Sequence, residues 1–397
     1  MITLFDGPEH DALLPLTFTR PVCETLIGIG TIRQKWARLS NSEVQVMARD
    51  YLRELFPIAS ITGDLLINGS LLPDRDLLDF LMTLPPGRVI YHQGVLLAVS
   101  GADFSNFSPK NELLNPDKFE SISLPGNIPI VKINQVWDFY LLNSQVLEFD
   151  FDLMTRGRES VPIDASNRLI GDRIFMEAGA SVSASTINST SGPVYLAAGA
   201  EIQEGALIRG GLYLGAGATI KMGAKLYGAS SFGSSCKIGG EVTNSIIHDN
   251  SNKAHDGYLG NSIIGSWCNL GADTNSSNLK NNYGEISIHT HPEGSKIDTG
   301  QQFLGMIMGD HSKCGINTMF NTGTTVGVSC NIFGTGFPPT FIPSFSWGGA
   351  DHLESYRIDK AIETARRVMS RRHLVLSTEE ESLMRYIYFW TAKYRQK

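Results

Sequence analysis

The sequence predicts a mixed α/β domain, followed by a parallel β-helix of hexapeptide repeats and a short helical tail. Two observations lead there. Of 40 glycines, 9 lie in residues 1–155, 29 in residues 156–345 and 2 in residues 346–397. Within the glycine-rich stretch, large apolar residues return at every sixth position: Leu196, Ile202, Ile208, Leu214, Ile220, Leu226, Phe232 and Ile238. The expected division is therefore an α/β domain over residues 1–155, a β-helix over 156–345 and a tail over 346–397. A length of 397 residues suits two or three domains, at about 100–200 residues each.

In the first domain the runs MITLF (1–5), VQVMA (44–48), DLLIN (64–68), RVIYH (88–92) and GVLLAV (94–99) read as short strands. TIRQKWARL (31–39) and PDRDLLDFLMTL (73–84) carry helical spacing. Strands alternating with helices predict a mostly parallel sheet. A connecting helix is expected from Val136 to Asn143, and the chain enters the β-helix near residues 161–166.

A period of six fits neither an amphipathic helix, which repeats every three to four residues, nor a strand of period two. It fits a coil whose short strands each turn one bulky residue inward, with small residues and glycines at the corners. After a phase shift the period is read as Ile246, Asn252, Tyr258, Ile264 and Leu270, and again as Met308, Cys314, Phe320, Val326 and Ile332. Cys236, Cys268 and Cys330 fall on small inward positions and Cys314 on a large one, so they are expected to be packed core thiols. The 5 cysteines form no CxxC pair, which argues against a disulfide framework or a zinc ribbon.

The tail changes period again. Ile358, Ala361, Ile362, Ala365, Val368 and Met369 make one helical stripe, and Ser377 with Glu380 makes a capping box for a second helix. Arg366, Arg367, Arg371 and Arg372 read as a solvated face rather than a phosphate site. A net charge of −7 argues against nucleic acid or an anionic membrane as partner. The start MITLFDGPEHD has no signal-peptide pattern, and no stretch approaches the ~18 apolar residues of a span. A cytoplasmic protein acting on small molecules is expected.

Periodicity lapses between residues 272 and 303, a polar segment expected to be a loop, and functional loops ride on rigid scaffolds. Just before it stands His255, the side chain best suited to take a proton near neutral pH.

The run Asn252-Lys253-Ala254-His255-Asp256-Gly257-Tyr258-Leu259-Gly260, followed by Asn269-Leu270-Gly271-Ala272 and Asn278, resembles the acetyltransferase half of the GlmU-like bifunctional enzymes. Residues 14–36, LPLTFTRPVCETLIGIGTIRQKW, resemble the N-terminal half of their variant bacterial sugar nucleotidyltransferases. The resemblance implies a nucleotidyltransferase-like domain joined to a left-handed β-helix, acetyl-CoA as co-substrate, an amino-sugar 1-phosphate acceptor, UTP or dTTP for the first domain, Mg²⁺ for nucleotidyl transfer and a homotrimer. It makes His255 the general base, with Tyr258, Asn269 and Asn278 holding the sugar phosphate or the acetyl group. The 14-residue step from His255 to Asn269 and the 9-residue step to Asn278 keep the family spacing.

The family's phosphate-gripping arginine and lysine are replaced here, near Leu226–Ser230 and Asn244 or Ser245, which leaves Lys225, Lys253 or Lys280 to supply charge. Its Gly-rich triphosphate loop is also absent, so phosphate contacts fall to Arg20, Arg33 and Lys35. Its metal-binding Gly-Asp reads here as Asn68-Gly69-Ser70. Two other readings stand beside this one. The first is a non-catalytic nucleotide-binding or assembly protein on the same fold. The second is a zinc enzyme using His289 and His291, with His248, His255 or His311 as further donors.

Overall fold

The computed structural model describes residues 1–59, 64–101, 103–108, 110–291 and 294–395. The chain forms two compact units: Met1–Leu13, Thr19–Thr25 and Gly30–Gln135 make the first, and Leu14–Phe18, Leu26–Ile29 and Val136–Lys397 the second.

The first unit is built on a sheet of strands β1 (Ile2–Phe5), β2 (Val44–Met47), β3 (Leu65–Asn68), β4 (Arg88–His92), β5 (Val95–Ser100) and β6 (Glu120–Ser121), in the order β2-β1-β3-β5-β4-β6. β1 runs parallel to β2 and β3, but β5 is antiparallel to both β3 and β4. The sheet is mixed, with five strands running one way and β5 alone against them. The cause is local: Gln93 and Gly94 lie at φ 50° and 79°, the left-handed pair of a two-residue hairpin turn. Helix α1 (Glu9–Ala12) follows β1, and α2 (Ile32–Ser40) starts at a capping box between Thr31 and Gln34 and stops at left-handed Asn41. Asp74 caps α3 (Arg75–Met82) by accepting from the Asp76 and Leu77 N–H groups.

The second unit is a parallel β-helix with three faces. Among the described residues, face I has 8 strands between Arg168–Ile170 and Met319–Phe320, face II has 9 between Ile174–Met176 and Phe341–Ile342, and face III has 10 ending at Leu353–Ser355. All pairings along the coil are parallel except the last on face III. The eight residues of the first hexad series are at most 3% exposed and line one continuous core. Each such side chain contributes roughly 1.5–3 kcal/mol by burial.

Past Ile238 the register departs from the expected one. The inward residues are Ile247, Lys253 and Leu259, because Phe232 pairs with Ile247, Ile238 with Lys253 and Val242 with Leu259. Asn252 and Tyr258 therefore face outward. The cause is a shortened corner: only Gly239 and Gly240 separate strands Lys237–Ile238 and Glu241–Thr243. The expected register returns at Ile264 and Leu270, both in the core. Cys236, Cys268, Cys314 and Cys330 lie buried in that core, and none of the five cysteines is bridged. Burial pushes the Cys236 thiol up to about 12 and that of Cys330 up to about 11.

The polar segment 272–303 is only partly loop. Asn275–Ser276 continues face I, and Ile286–His289 pairs antiparallel with Lys296–Gln301. Alternate Ile286 and Ile288 are buried, a period-two signal too short to stand out among polar neighbours.

Helix α4 (Asp138–Thr155) runs well past Asn143 and packs on the coil, where Leu147 covers Gly211 and the Asn143 amide donates to the Ala229 carbonyl at 3.1 Å. The tail forms α5 (Ile358–Ser370) and α6 (Thr378–Trp390), the latter opened by the Ser377/Glu380 capping box. Arg366 pairs with Glu381 and Arg367 with Glu363. Among the described residues, no helix is long and apolar enough to cross a membrane.

Candidate functional site

His255 lies on the corner that joins strand Asn252–Lys253 of face III to strand Tyr258–Gly260 of face I, and its side chain is exposed. The other residues singled out in the sequence flank this corner on both sides. On face I, Tyr258 donates its backbone N–H to the Asn275 amide oxygen at 2.8 Å. Its phenol meets the Asn278 side chain above the Cα of Gly260. A Cβ on Gly260 would sit 2.3 Å from Tyr258 Oη and 2.7 Å from Asn278 Nδ2, so the two groups converge because residue 260 has no side chain. Burial raises the Tyr258 pKa, partly offset by the hydrogen bond to Asn278. Asn278 also donates to Asn261 Oδ1 at 2.7 Å.

On face III, Asn269 stands one coil above Asn252 and accepts from its amide at 3.3 Å. Arg372, at the end of α5, donates to Asn252 Oδ1 at 3.2 Å and to the Ser235 carbonyl at 2.7 Å. This contact spans 120 residues of sequence, so no local pattern announces it.

The three lysines separate. Lys253 is 1% exposed, and its ammonium is bonded to the carbonyls of Gly239, His255 and Asp256 inside the coil. Lys280 donates to the Glu285 carbonyl within the insertion. Lys225 is exposed on face I in the same column as Tyr258, two coils below it through Glu241. At about 4.8 Å per strand this is roughly 10 Å. Lys225 helps line a groove of about 660 Å³ with Leu207, Arg209, Tyr227 and Glu241, in which Tyr227 donates to Glu241 at 2.6 Å.

In the first unit the polar residues gather at the carboxyl ends of β1 and β3, beside the point where the chain switches sides of β1; α/β sheets bind ligands at such points. Asp6 accepts the Val22 N–H at 2.8 Å and lies 3.2 Å from His10 Nδ1, while His10 Nε2 contacts Tyr51 Oη at 2.8 Å. Glu9 pairs with buried Lys132 and accepts from Asn68 at 3.0 Å; Asn68 in turn accepts from the Ser70 hydroxyl at 2.8 Å. Arg33 on α2 pairs with Glu24, Lys35 on the same helix is 1% exposed, and Arg20 is half-buried.

This donor set does not suit a protein-held Mg²⁺. Asn68-Gly69-Ser70 offers no carboxylate, and Asp6 and Glu9 are spent on backbone N–H groups, His10, Lys132 and Asn68. Nor do three His, Cys, Asp or Glu side chains converge on a metal position among the described residues. His289 and His291 instead lie against Phe341, each with ring centroids 5.2 Å from it. Burial pushes the His291 pKa down to about 4.

The chain thus joins a sheet unit with polar strand ends to a hexapeptide coil with a histidine at one corner. Residues 2–159 match the family described as sugar nucleotidyl transferase. The bifunctional protein GlmU of Methanocaldococcus jannaschii is 33% identical over 135 residues, 34% of this chain and 28% of that protein. The bifunctional sugar-1-phosphate nucleotidylyltransferase/acetyltransferase of Sulfurisphaera tokodaii is 33% identical over 99 residues, 24% of each chain. The match thus spans about a quarter of the length of these curated relatives. A solved Arabidopsis UDP-N-acetylglucosamine acyltransferase aligns at TM-score 0.23 and 16% identity, over 59% of this chain and 94% of that one. Over these stretches the chain is similar to GlmU and to a bifunctional sugar-1-phosphate nucleotidylyltransferase/acetyltransferase.

Proposed function

We propose that this protein is a transferase of nucleotide-sugar synthesis whose coil moves the acetyl group of acetyl-CoA to an amino-sugar 1-phosphate. The observation behind this reading is the corner itself: an exposed imidazole flanked by Tyr258 and Asn278 on face I and Asn269 on face III. His255 takes the proton from the sugar amine as its nitrogen attacks the thioester carbonyl. The N–C bond forms, the C–S bond breaks, and the proton passes to the departing thiolate. A positioned base of this kind contributes roughly 10²–10⁴-fold. Lys225 and Arg209, exposed along the face I groove, are suited to meet the acceptor phosphate.

For the first unit the reading is nucleotidyl transfer from UTP or dTTP at the carboxyl ends of β1 and β3, supported by the match over residues 2–159. Arg20 and Arg33 are its proposed phosphate contacts, whereas Lys35, 1% exposed, is too buried to meet a ligand. A cytoplasmic homotrimer is part of the same proposal. Calorimetric titration with acetyl-CoA, UTP and dTTP tests it. Binding of acetyl-CoA with turnover supports acetyl transfer, nucleotide binding without turnover favours a nucleotide-binding role for the first unit, and no binding of acetyl-CoA overturns the coil assignment.

A further inference from the structure

Lys253 occupies an inward coil position, between Ile238 below and Leu270 above, where its neighbours in the column are aliphatic. A buried ammonium is costly unless its donors are satisfied. Two of its acceptors lie in the corner that carries His255 and one in the turn below: Lys253 Nζ donates to the carbonyl of His255, to that of Asp256 at 3.0 Å and to that of Gly239 at 3.3 Å.

Below the corner, the backbone has been brought down onto the shortened Gly239-Gly240 turn. A Cβ on Gly239 would lie 2.5 Å from the Ala254 carbonyl oxygen, and one on Gly240 2.8 Å from that of His255 and 2.7 Å from that of Gly257. Above it, a Cβ on Gly257 would lie 2.2 Å from the Thr274 oxygen. The corner is therefore fixed from three sides, by glycine backbone below, by the next coil above and by an ammonium from within.

We infer that Lys253 is a positioning residue for His255, its ammonium drawing the His255 and Asp256 carbonyls into the coil so that the imidazole is held outward at the acyl-transfer site. The inference rests on the acetyl-transfer reading for the coil and gives Lys253 a role beneath the turn instead of against the substrate. Gly239 and Gly240 are the floor that lets the turn close.

The test compares Lys253→Met, which keeps the length and apolar volume of the stem, with Gly240→Ala, which lifts the same turn from below. Both are assayed on the full-length protein well below its melting temperature. Expected is a fall in kcat for acetyl transfer of about 10²-fold, as for a reacting group displaced by ~1 Å, with KM for acetyl-CoA within about twofold of wild type. The His255 ring resonance in a ¹H–¹³C spectrum should move in both variants. If Lys253→Met lowers only the melting temperature, with kcat per folded molecule and the His255 resonance unchanged, Lys253 is structural and the inference is wrong. His255→Ala separates the two layers. If that variant keeps full turnover, His255 is not the base and the assignment of the site fails, while the resonance in Lys253→Met still reports whether Lys253 sets the turn.

Discussion

Gly260→Ala probes the site without touching His255. The φ of Gly260 lies outside the left-handed region, so alanine carries no backbone penalty there, but its Cβ would stand 2.3 Å from Tyr258 Oη and 2.7 Å from Asn278 Nδ2. Heavy atoms do not tolerate separations below about 3.0 Å, so the phenol must retreat by at least ~0.7 Å and the amide by ~0.3 Å. Both groups are side-chain ends next to solvent, so the stability cost should stay near the low end of overpacking, about 1 kcal/mol. A displacement of this size in substrate-holding groups costs up to about 10²-fold in kcat/KM. The assay is acetyl-CoA-dependent thiol release with glucosamine 1-phosphate as acceptor. Gly126→Ala serves as control, since nothing lies within 4 Å of a Cβ there. If Gly260→Ala turns over like wild type at subsaturating acceptor, Tyr258 and Asn278 do not hold the substrate.

Other outcomes follow from the same geometry. Ile220→Ala, in the fully buried column between Ile202 and Ile238, should destabilise the coil by about 2–5 kcal/mol in chemical denaturation. Lys132→Ala leaves the Glu9 carboxylate buried without its cation and should cost about 3–5 kcal/mol in the first unit's transition, whereas a change below 1 kcal/mol would mean the pair contributes nothing. Burial holds His291 near 4 when folded against about 6.5 unfolded, so the unfolded chain binds more protons between those values and stability falls as pH drops through that window; His291→Phe should flatten this part of the melting-temperature profile. Lys253 is pushed down to about 8 by burial, against about 10.4 unfolded; its penalty is full below pH 8 and is relieved as pH rises toward 10.4, so wild type should gain stability over that range relative to Lys253→Met.

The coil was legible because one inward residue per six leaves a direct trace in sequence, and Leu196 through Ile238 all fall in the core. The trace broke where the chain shortened a corner at Gly239-Gly240: the inward positions become Ile247, Lys253 and Leu259 until the expected register returns at Ile264, and a lysine in an aliphatic column hides the new phase. The mixed order of the first sheet was readable only through the Gln93-Gly94 turn, whose left-handed dihedrals reverse the chain. At the site, His255 stood out beside the lapse in period, whereas Tyr258, Asn269 and Asn278 were singled out only through the resemblance of the surrounding motif to a known family. Arg372 on Asn252 and Lys253 beneath the turn were not legible, because long-range contacts and burial leave no periodic signal.

The proposal for the coil stands most directly on His255. Replacing it with alanine in the full-length protein and following thiol release from acetyl-CoA with amino-sugar 1-phosphates should lower turnover by about 10²–10⁴-fold, with acetyl-CoA binding retained. Undiminished turnover in His255→Ala would contradict the account.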